Sequence, residues 1–191
     1  METNRKQNMN GSKMSTTRLA KMGMLVAISI VLVMLIHFPI IPAVAFLEYD
    51  PADIPILLGT FAFGPAAGVL LTVVTSILQG VTVSAASGPY GIIMHIIATS
   101  VLCLTAGLIY QSKHTKTKKH AIVGLVCGTV AMALVMVPAN MIITPLFTGM
   151  PLESVMALMP GIVGFNFIKA GINSVVTFLV YKRISPFLHR Q

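Results

Sequence analysis

Long apolar runs, separated by three basic clusters, constrain this 191-residue chain more than any other feature. Several runs reach about 20 residues, the length of a helix that crosses a bilayer. Charged residues make up only 9% of the chain, against about 25% in soluble domains. The sequence therefore predicts an all-α membrane protein with no separate soluble domain.

The positions of Lys and Arg predict the topology. One cluster ends at Lys21, a second occupies 113–119, and a third begins at Lys182. Basic clusters of this kind stay in the cytoplasm, so an even number of crossings separates each cluster from the next. The acidic residues after Glu2 fall in two connections that this scheme places outside. We predict a bundle of six transmembrane helices, with the N and C termini cytoplasmic.

Three parts of the chain follow from this scheme. They are a cytoplasmic basic N-terminal segment (1–21), a six-helix transmembrane domain (22–184) and a cytoplasmic tail (185–191). The expected helices are 22–41, two short helices within 54–84 that meet at Gly64-Pro65, then 90–110, 121–143 and 161–181. Proline at three positions in 144–160 predicts a long outer connection there.

The N-terminal region admits a second interpretation. A basic leader, an apolar stretch and the triplet Ala43-Val44-Ala45 together resemble a secretory signal and its cleavage site. However, the apolar stretch exceeds the usual length of such a signal, about 7–15 residues. Gly23 and Ala27 also form a small-xxx-small pair suited to close helix contact. We favour a retained first helix.

Lys169 is the leading candidate for function. It is the single Lys or Arg between Lys119 and Lys182, and it lies in the middle of the last apolar run. A cation at that depth costs about 2.5–3.5 kcal/mol on insertion scales, so it is tolerated where it faces a cavity or a partner. Asn166 and Asn173 lie three residues before and four residues after it, on the same helical stripe. This stripe predicts a ligand site or, alternatively, a hydrogen-bonded helix contact.

Several function classes have no support in the sequence. The chain carries no G-x-x-x-x-G-K-[ST], G-x-S-x-G or H-E-x-x-H motif, so ATP hydrolysis by a phosphate loop and the familiar hydrolase chemistries are not expected. No catalytic residue and no metal site is predicted. The net charge of +8 comes from topology signals rather than from a nucleic-acid surface. His95 stands alone on an apolar helix, where a hydrogen-bonded core role is the commoner alternative to ligand binding.

The carboxylates lie away from the predicted spans. Glu48, Asp50 and Asp53 share one predicted outer connection, and Glu153 lies in the other. A membrane enzyme would need an acid–base pair or a metal cluster at membrane depth. These carboxylates are therefore interpreted either as a solvated loop or as part of a substrate gate, for which Asp53 is the candidate.

Five segments resemble the substrate-binding S component of energy-coupling factor (ECF) transporters, in particular its riboflavin-specific branch. They are LEYDPADIP at 47–55, FAFGPAAG at 61–68, AGLIY at 106–110, ANMIITPLF at 139–147 and GFNFIK at 164–169. Their order and spacing carry the resemblance, which covers about residues 18–185.

The resemblance implies a six-helix substrate-binding domain that captures a vitamin from outside the cell membrane. Its expected partners are a membrane-embedded coupling subunit and two ATPase subunits, with riboflavin and related flavins as transported ligand and no cofactor. By the family's pattern, Asn140, Asn166 and Lys169 would bind the ligand. Small residues of the first helix would contact the coupling subunit, and here these are Ala20, Gly23 and Ala27.

Departures from the family's pattern bear on specificity. The third helix carries Thr75-Ser76 where riboflavin-specific members often have Lys-Asn, and His95 stands where Asn is frequent. The predicted substrate-binding residues are Asn140, Asn166, Lys169, His95, Thr75, Asp53 and Asn173. Another small vitamin or precursor, pyridoxine-like or a pyrimidine, is the alternative ligand, and a small membrane enzyme or a structural subunit is the alternative function.

Overall fold

The protein is a helical bundle. A computed structural model describes residues 16–112 and 117–188, and six α-helices account for most of them. The helices are α1 Thr16–Leu35, α2 Asp53–Phe63, α3 Pro65–Val81, α4 Gly88–Gln111, α5 Lys118–Thr148 and α6 Leu152–Leu188. Two short 3₁₀ turns, Pro42–Val44 and Ala85–Ser87, lie in the connections before α2 and α4.

Four of the helices are long and apolar enough to cross a membrane. Among the described residues these are α1, α4 together with the turn before it, α5 and α6. Their outward faces carry large apolar side chains, as a lipid-facing surface requires. The helix α2 has 11 residues and is about 16 Å long, well below the thickness of a bilayer core of about 30 Å.

The short helix α2 forms the centre of the bundle. Its residues from Asp53 to Phe61 are all buried, and it packs against α1, α3, α4 and α6. Further out, α4 packs between α3 and α5, and α5 packs against α6. The apolar core lies around Phe61, whose ring contacts the rings of Tyr110 and Tyr181.

The turn between α2 and α3 was predicted at the correct residues. Gly64 has a φ of 101°, a conformation that side-chain-bearing residues rarely adopt, and Pro65 opens α3 at a position where its missing N–H costs nothing. The Arg18 guanidinium donates to the Phe63 carbonyl over 2.8 Å. This turn therefore lies at the same end of the bundle as the start of α1.

The first helix ends earlier than the sequence suggests. It stops at Leu35 rather than at residue 41, because Pro39 disfavours helical geometry in Phe38. Phe38 and Pro39 (β1) instead pair antiparallel with Tyr49 and Glu48 (β2). The segment 36–52, the first connection, is thus an ordered loop between α1 and α2.

The prediction of a long outer connection at 144–160 is wrong. The helix α5 continues through Pro138 and Pro145 to Thr148, and α6 contains Pro160, so residues 149–151 alone join them. Proline within a membrane helix is tolerated because neighbouring helices and side chains satisfy the freed carbonyl groups. Gly149, with a φ of 71°, ends α5 in the left-handed conformation.

The helices also reach into the two predicted flanking segments. Residues 16–21 of the basic N-terminal segment belong to α1, which begins at Thr16. At the other end, α6 extends to Leu188. The remaining residues of these segments lie outside the described part of the chain.

Candidate functional site

A large cavity opens between the first connection and helices α3, α4, α5 and α6. Its volume is about 950 Å³, counting the part open to solvent. Apolar side chains form most of the wall, including Met94, Ala98, Met132, Met136 and Phe165. Apolar walls with a few polar groups are typical of small-molecule sites.

Two asparagines on neighbouring helices line this cavity. The Asn140 amide donates to the Met136 carbonyl over 2.7 Å, and its side-chain oxygen accepts from the Thr144 hydroxyl at 2.9 Å. The Asn166 amide donates to the Ile162 carbonyl over 2.8 Å. Each amide nitrogen carries a second hydrogen. Both side chains are buried and held by their own helices, so they are preorganised to present polar groups to a ligand.

Lys169 lines the same cavity and pairs with a carboxylate. Its Nζ donates to Asp50 Oδ2 over 2.7 Å, and both residues are buried. Asp50 is held in turn by the backbone N–H of Ala52. The ammonium group has three hydrogens, so pairing with one carboxylate oxygen leaves donors for a ligand. The ion pair joins the first connection to α6.

A second buried carboxylate lies behind the first. Asp53, fully buried, accepts from the Thr99 hydroxyl over 2.6 Å and from the Asn173 amide over 2.9 Å. Asn173 also donates to the Asp50 carbonyl and accepts from the Tyr49 hydroxyl. Asn173 therefore joins α6 to the Asp53 carboxylate and, through Asp50 and Tyr49, to the first connection.

His95 bridges the cavity and this buried cluster. Its Nδ1 lies 2.6 Å from the Ser76 hydroxyl, and its Nε2 lies 3.3 Å from Asp53 Oδ1. His95, which has no Cys, Asp or Glu at helical spacing in the sequence, thus has a carboxylate neighbour in the structure. Local spacing did not reveal it because Asp53 is on another helix.

The structure separates the predicted substrate-binding residues into two groups. Asn140, Asn166, Lys169 and His95 line the cavity, whereas Asp53 and Asn173 lie behind its wall. Thr75 is buried next to Ser76 but does not line the cavity. In the third helix, the residues that line the cavity are Ser76, Gln79 and Gly80.

Three residues of the site differ from what the sequence predicts. Asp50 and Asp53 are buried, so the solvated-loop interpretation is wrong for both, although Glu48 at the rim is exposed. The signal for their burial was Lys169 itself, since a buried cation requires a counterion. Gln79 lines the cavity near the end of α3, and no local pattern in the sequence indicates this.

The predicted contact residues for a coupling subunit lie on a free face of α1. Ala20, Gly23 and Ala27 are all exposed, while α1 buries its opposite face into the bundle. A side chain added at Gly23 would meet no atom within 4 Å. The face is therefore smooth and open to another helix.

No group of three or more His, Cys, Asp or Glu within residues 16–112 and 117–188 is arranged to hold a metal ion. Cys103 is buried and Cys127 is exposed, and both are free thiols.

Comparison with known proteins gives consistent matches over the chain. Residues 17–181 match the family described as ECF transporter, substrate-specific component. The riboflavin transporter RibU of Staphylococcus aureus is 34% identical over 198 residues, which covers 100% of both chains. The riboflavin transporter FmnP of Bacillus subtilis is 29% identical, with 93% of this chain and 97% of that protein covered.

A solved structure agrees with these matches. The S component of a bacterial ECF transporter superimposes with a TM-score of 0.77 at 34% identity, covering 91% of this chain and 98% of that one. The four long apolar helices make the protein a multi-pass protein of the cell membrane. From the match across residues 17–181 and the full-length relatives, the chain belongs to the substrate-specific components of ECF transporters.

Proposed function

We propose that the protein captures riboflavin from outside the cell in the cavity between α3, α4, α5 and α6. The observation that carries this proposal is the cavity itself, in which Asn140, Asn166 and Lys169 converge on an apolar chamber. Full-length relatives carry the name riboflavin transporter, which supports the choice of ligand.

The chemistry of the cavity suits a flavin. Riboflavin combines a flat, largely apolar ring system with a hydrogen-bonding edge and a hydroxylated chain. Methionine and phenylalanine side chains can pack on the ring faces, and amide and ammonium donors can meet the oxygens of the edge. The Asp50 carboxylate offsets the charge of Lys169, so the site suits an uncharged polar ligand.

We assign delivery of the vitamin to partner subunits. The family resemblance implies a membrane-embedded coupling subunit and two ATPase subunits, and the chain is proposed to dock through Ala20, Gly23 and Ala27. Their exposure and the open space at Gly23 support this assignment.

We further propose six crossings with both termini in the cytoplasm. Arg18 contacts the α2–α3 turn, and Gln111, next to the basic segment 113–119, also lies near that turn at Gly64. Arg18 and the C-terminal end of α4 thus lie at the same end of the bundle. Asp53 lies at the opposite end of α2 from this turn. The positive-inside rule assigns the end with Arg18 to the cytoplasm.

Labelling with an impermeant thiol reagent tests this topology. In a background with Cys103 and Cys127 replaced by Ala, we expect Ser112→Cys to react only after the membrane is permeabilised. A Cys at Glu48, on the opposite rim, serves as the matched control and should react in intact cells. Reaction of Ser112→Cys from outside would contradict the proposed orientation.

Isothermal titration with riboflavin tests the proposed site. We expect Asn140→Leu and Asn166→Leu to weaken binding by about 1–2 kcal/mol each, because a polar group of the ligand would be left unpaired in an apolar cavity. The exchange Gln111→Leu, outside the cavity, should leave affinity unchanged. Wild-type affinity in both asparagine variants would mean that these amides serve helix packing alone.

A further inference from the structure

We infer that Gln79 is a further specificity-determining residue, whose side-chain oxygen accepts a hydrogen bond from the bound flavin. The inference rests on the proposed function, since it names a contact within the same cavity. Gln79 lies near the end of α3 and is 6% exposed. Its side chain forms part of the cavity wall.

Two neighbours fix the orientation of the Gln79 amide. Its Nε2 is 3.4 Å from Asp50 Oδ2 and 3.3 Å from the Ser84 hydroxyl oxygen. A carboxylate oxygen can only accept, so the amino group and not the carbonyl oxygen must face Asp50. The opposite orientation would place two acceptors together. The Gln79 Oε1 is thereby held on the side of the amide that points away from Asp50.

This oxygen has no partner. Gln79 Oε1 is buried and accepts no hydrogen bond from the described residues. Buried polar atoms are nearly always satisfied, and an exception calls for an explanation such as a ligand. Because the residue lines the cavity, we take a molecule bound against this side chain as the source of the missing donor.

The chemistry of the ligand limits what that donor can be. The carbonyl oxygens of the flavin ring, and the ring nitrogens that carry neither a hydrogen nor a substituent, accept hydrogen bonds. The donors of the flavin are therefore the imide N–H and the hydroxyl groups of the ribityl chain. Asn140, Asn166 and Lys169 supply donors to the cavity. Gln79 Oε1 supplies a complementary acceptor, and it selects for ligands that carry a donor at that position.

The test measures how one substitution changes the binding of three ligands. Purified wild-type protein and Gln79→Met are titrated with riboflavin, with N3-methylriboflavin, which lacks the imide donor, and with lumiflavin, which lacks the ribityl hydroxyls. We expect Gln79→Met to bind riboflavin about tenfold more weakly than wild type. With the analogue that lacks the bonded donor, the difference between the two proteins should disappear, and this analogue identifies the donor.

Two controls accompany the comparison. Gln111→Met makes the same exchange at a glutamine outside the cavity and should bind all three ligands as wild type does. Gln79→Ala repeats the comparison with a smaller side chain, in case the methionine disturbs the fold. An equal loss of affinity for all three ligands would show that Gln79 acts by positioning Asp50. No loss of affinity would show that Gln79 does not contact the ligand. Either result overturns this inference but leaves the proposed function standing. Wild-type protein that does not bind riboflavin would overturn the proposed function as well.

Discussion

Replacing Lys169 by Met is expected to destabilise the protein by about 3–5 kcal/mol. The Lys169 ammonium and the Asp50 carboxylate are both buried and 2.7 Å apart. Removing the cation leaves a carboxylate in the interior with no paired charge. A second carboxylate, Asp53, lies in the same cluster, so the remaining negative charges would also repel each other. Thermal unfolding of the purified protein in detergent measures the loss.

A double variant separates the effect of the unpaired charge from the effect of lost packing. Asn at position 50 keeps the shape of the side chain without its charge, so Asp50→Asn combined with Lys169→Met removes both charges. We expect the double variant to be more stable than Lys169→Met alone, by about 0.5–3 kcal/mol, because contacting charges are energetically coupled. Equal stability of the two variants, or wild-type stability in Lys169→Met, would contradict a structural role for the ion pair.

Bulky residues at Gly23 or Ala27 are expected to abolish uptake while leaving ligand binding intact. Both positions are exposed on α1, on the side away from the bundle, and neither lines the cavity. A Leu at Gly23 would keep two helices from approaching closely, as small-residue helix contacts require. In cells that contain the whole transporter, we expect at least about a tenfold loss of riboflavin uptake, which corresponds to about 1.4 kcal/mol. Titration of the same variants should give wild-type affinity.

Gly171 provides the matched control for this experiment. It lies within α6, and a side chain added there also meets no atom within 4 Å. Gly171→Leu makes the same exchange in a different helix and should leave uptake near wild type. The docking assignment would be wrong if Gly23→Leu lost binding and uptake together, or if Gly171→Leu lost as much uptake as Gly23→Leu.

The helices were predictable because their signals are local. Apolar runs of bilayer length marked α1, α4, α5 and α6, and Gly64-Pro65 marked the turn after α2. The error at the end of α1 came from a local rule, the effect of Pro39 on Phe38, that the apolar run concealed. The error at 144–160 occurred where tertiary contacts override a local rule. Proline suggested a loop at Pro145 and Pro160, yet both residues lie inside helices, because packed neighbours compensate for the lost backbone bond.

The site was predictable in part. Lys169 was found from the cost of a buried cation, and Asn166 and Asn173 from their spacing on the same helix. Helical spacing does not reveal partners that are distant in sequence, and Asp50 lies 119 residues before Lys169. For the same reason the sequence could not show that Asn173 binds the Asp53 carboxylate or that Gln79 lines the cavity.

Competition between vitamins tests the central claim most directly. Purified protein is incubated with an equimolar mixture of riboflavin, pyridoxine and a pyrimidine nucleobase, washed, and denatured, and the retained compound is identified by mass spectrometry. The proposed function predicts that riboflavin is retained at one molecule per chain. Retention of pyridoxine or the pyrimidine in its place, or of none of the three, would contradict it.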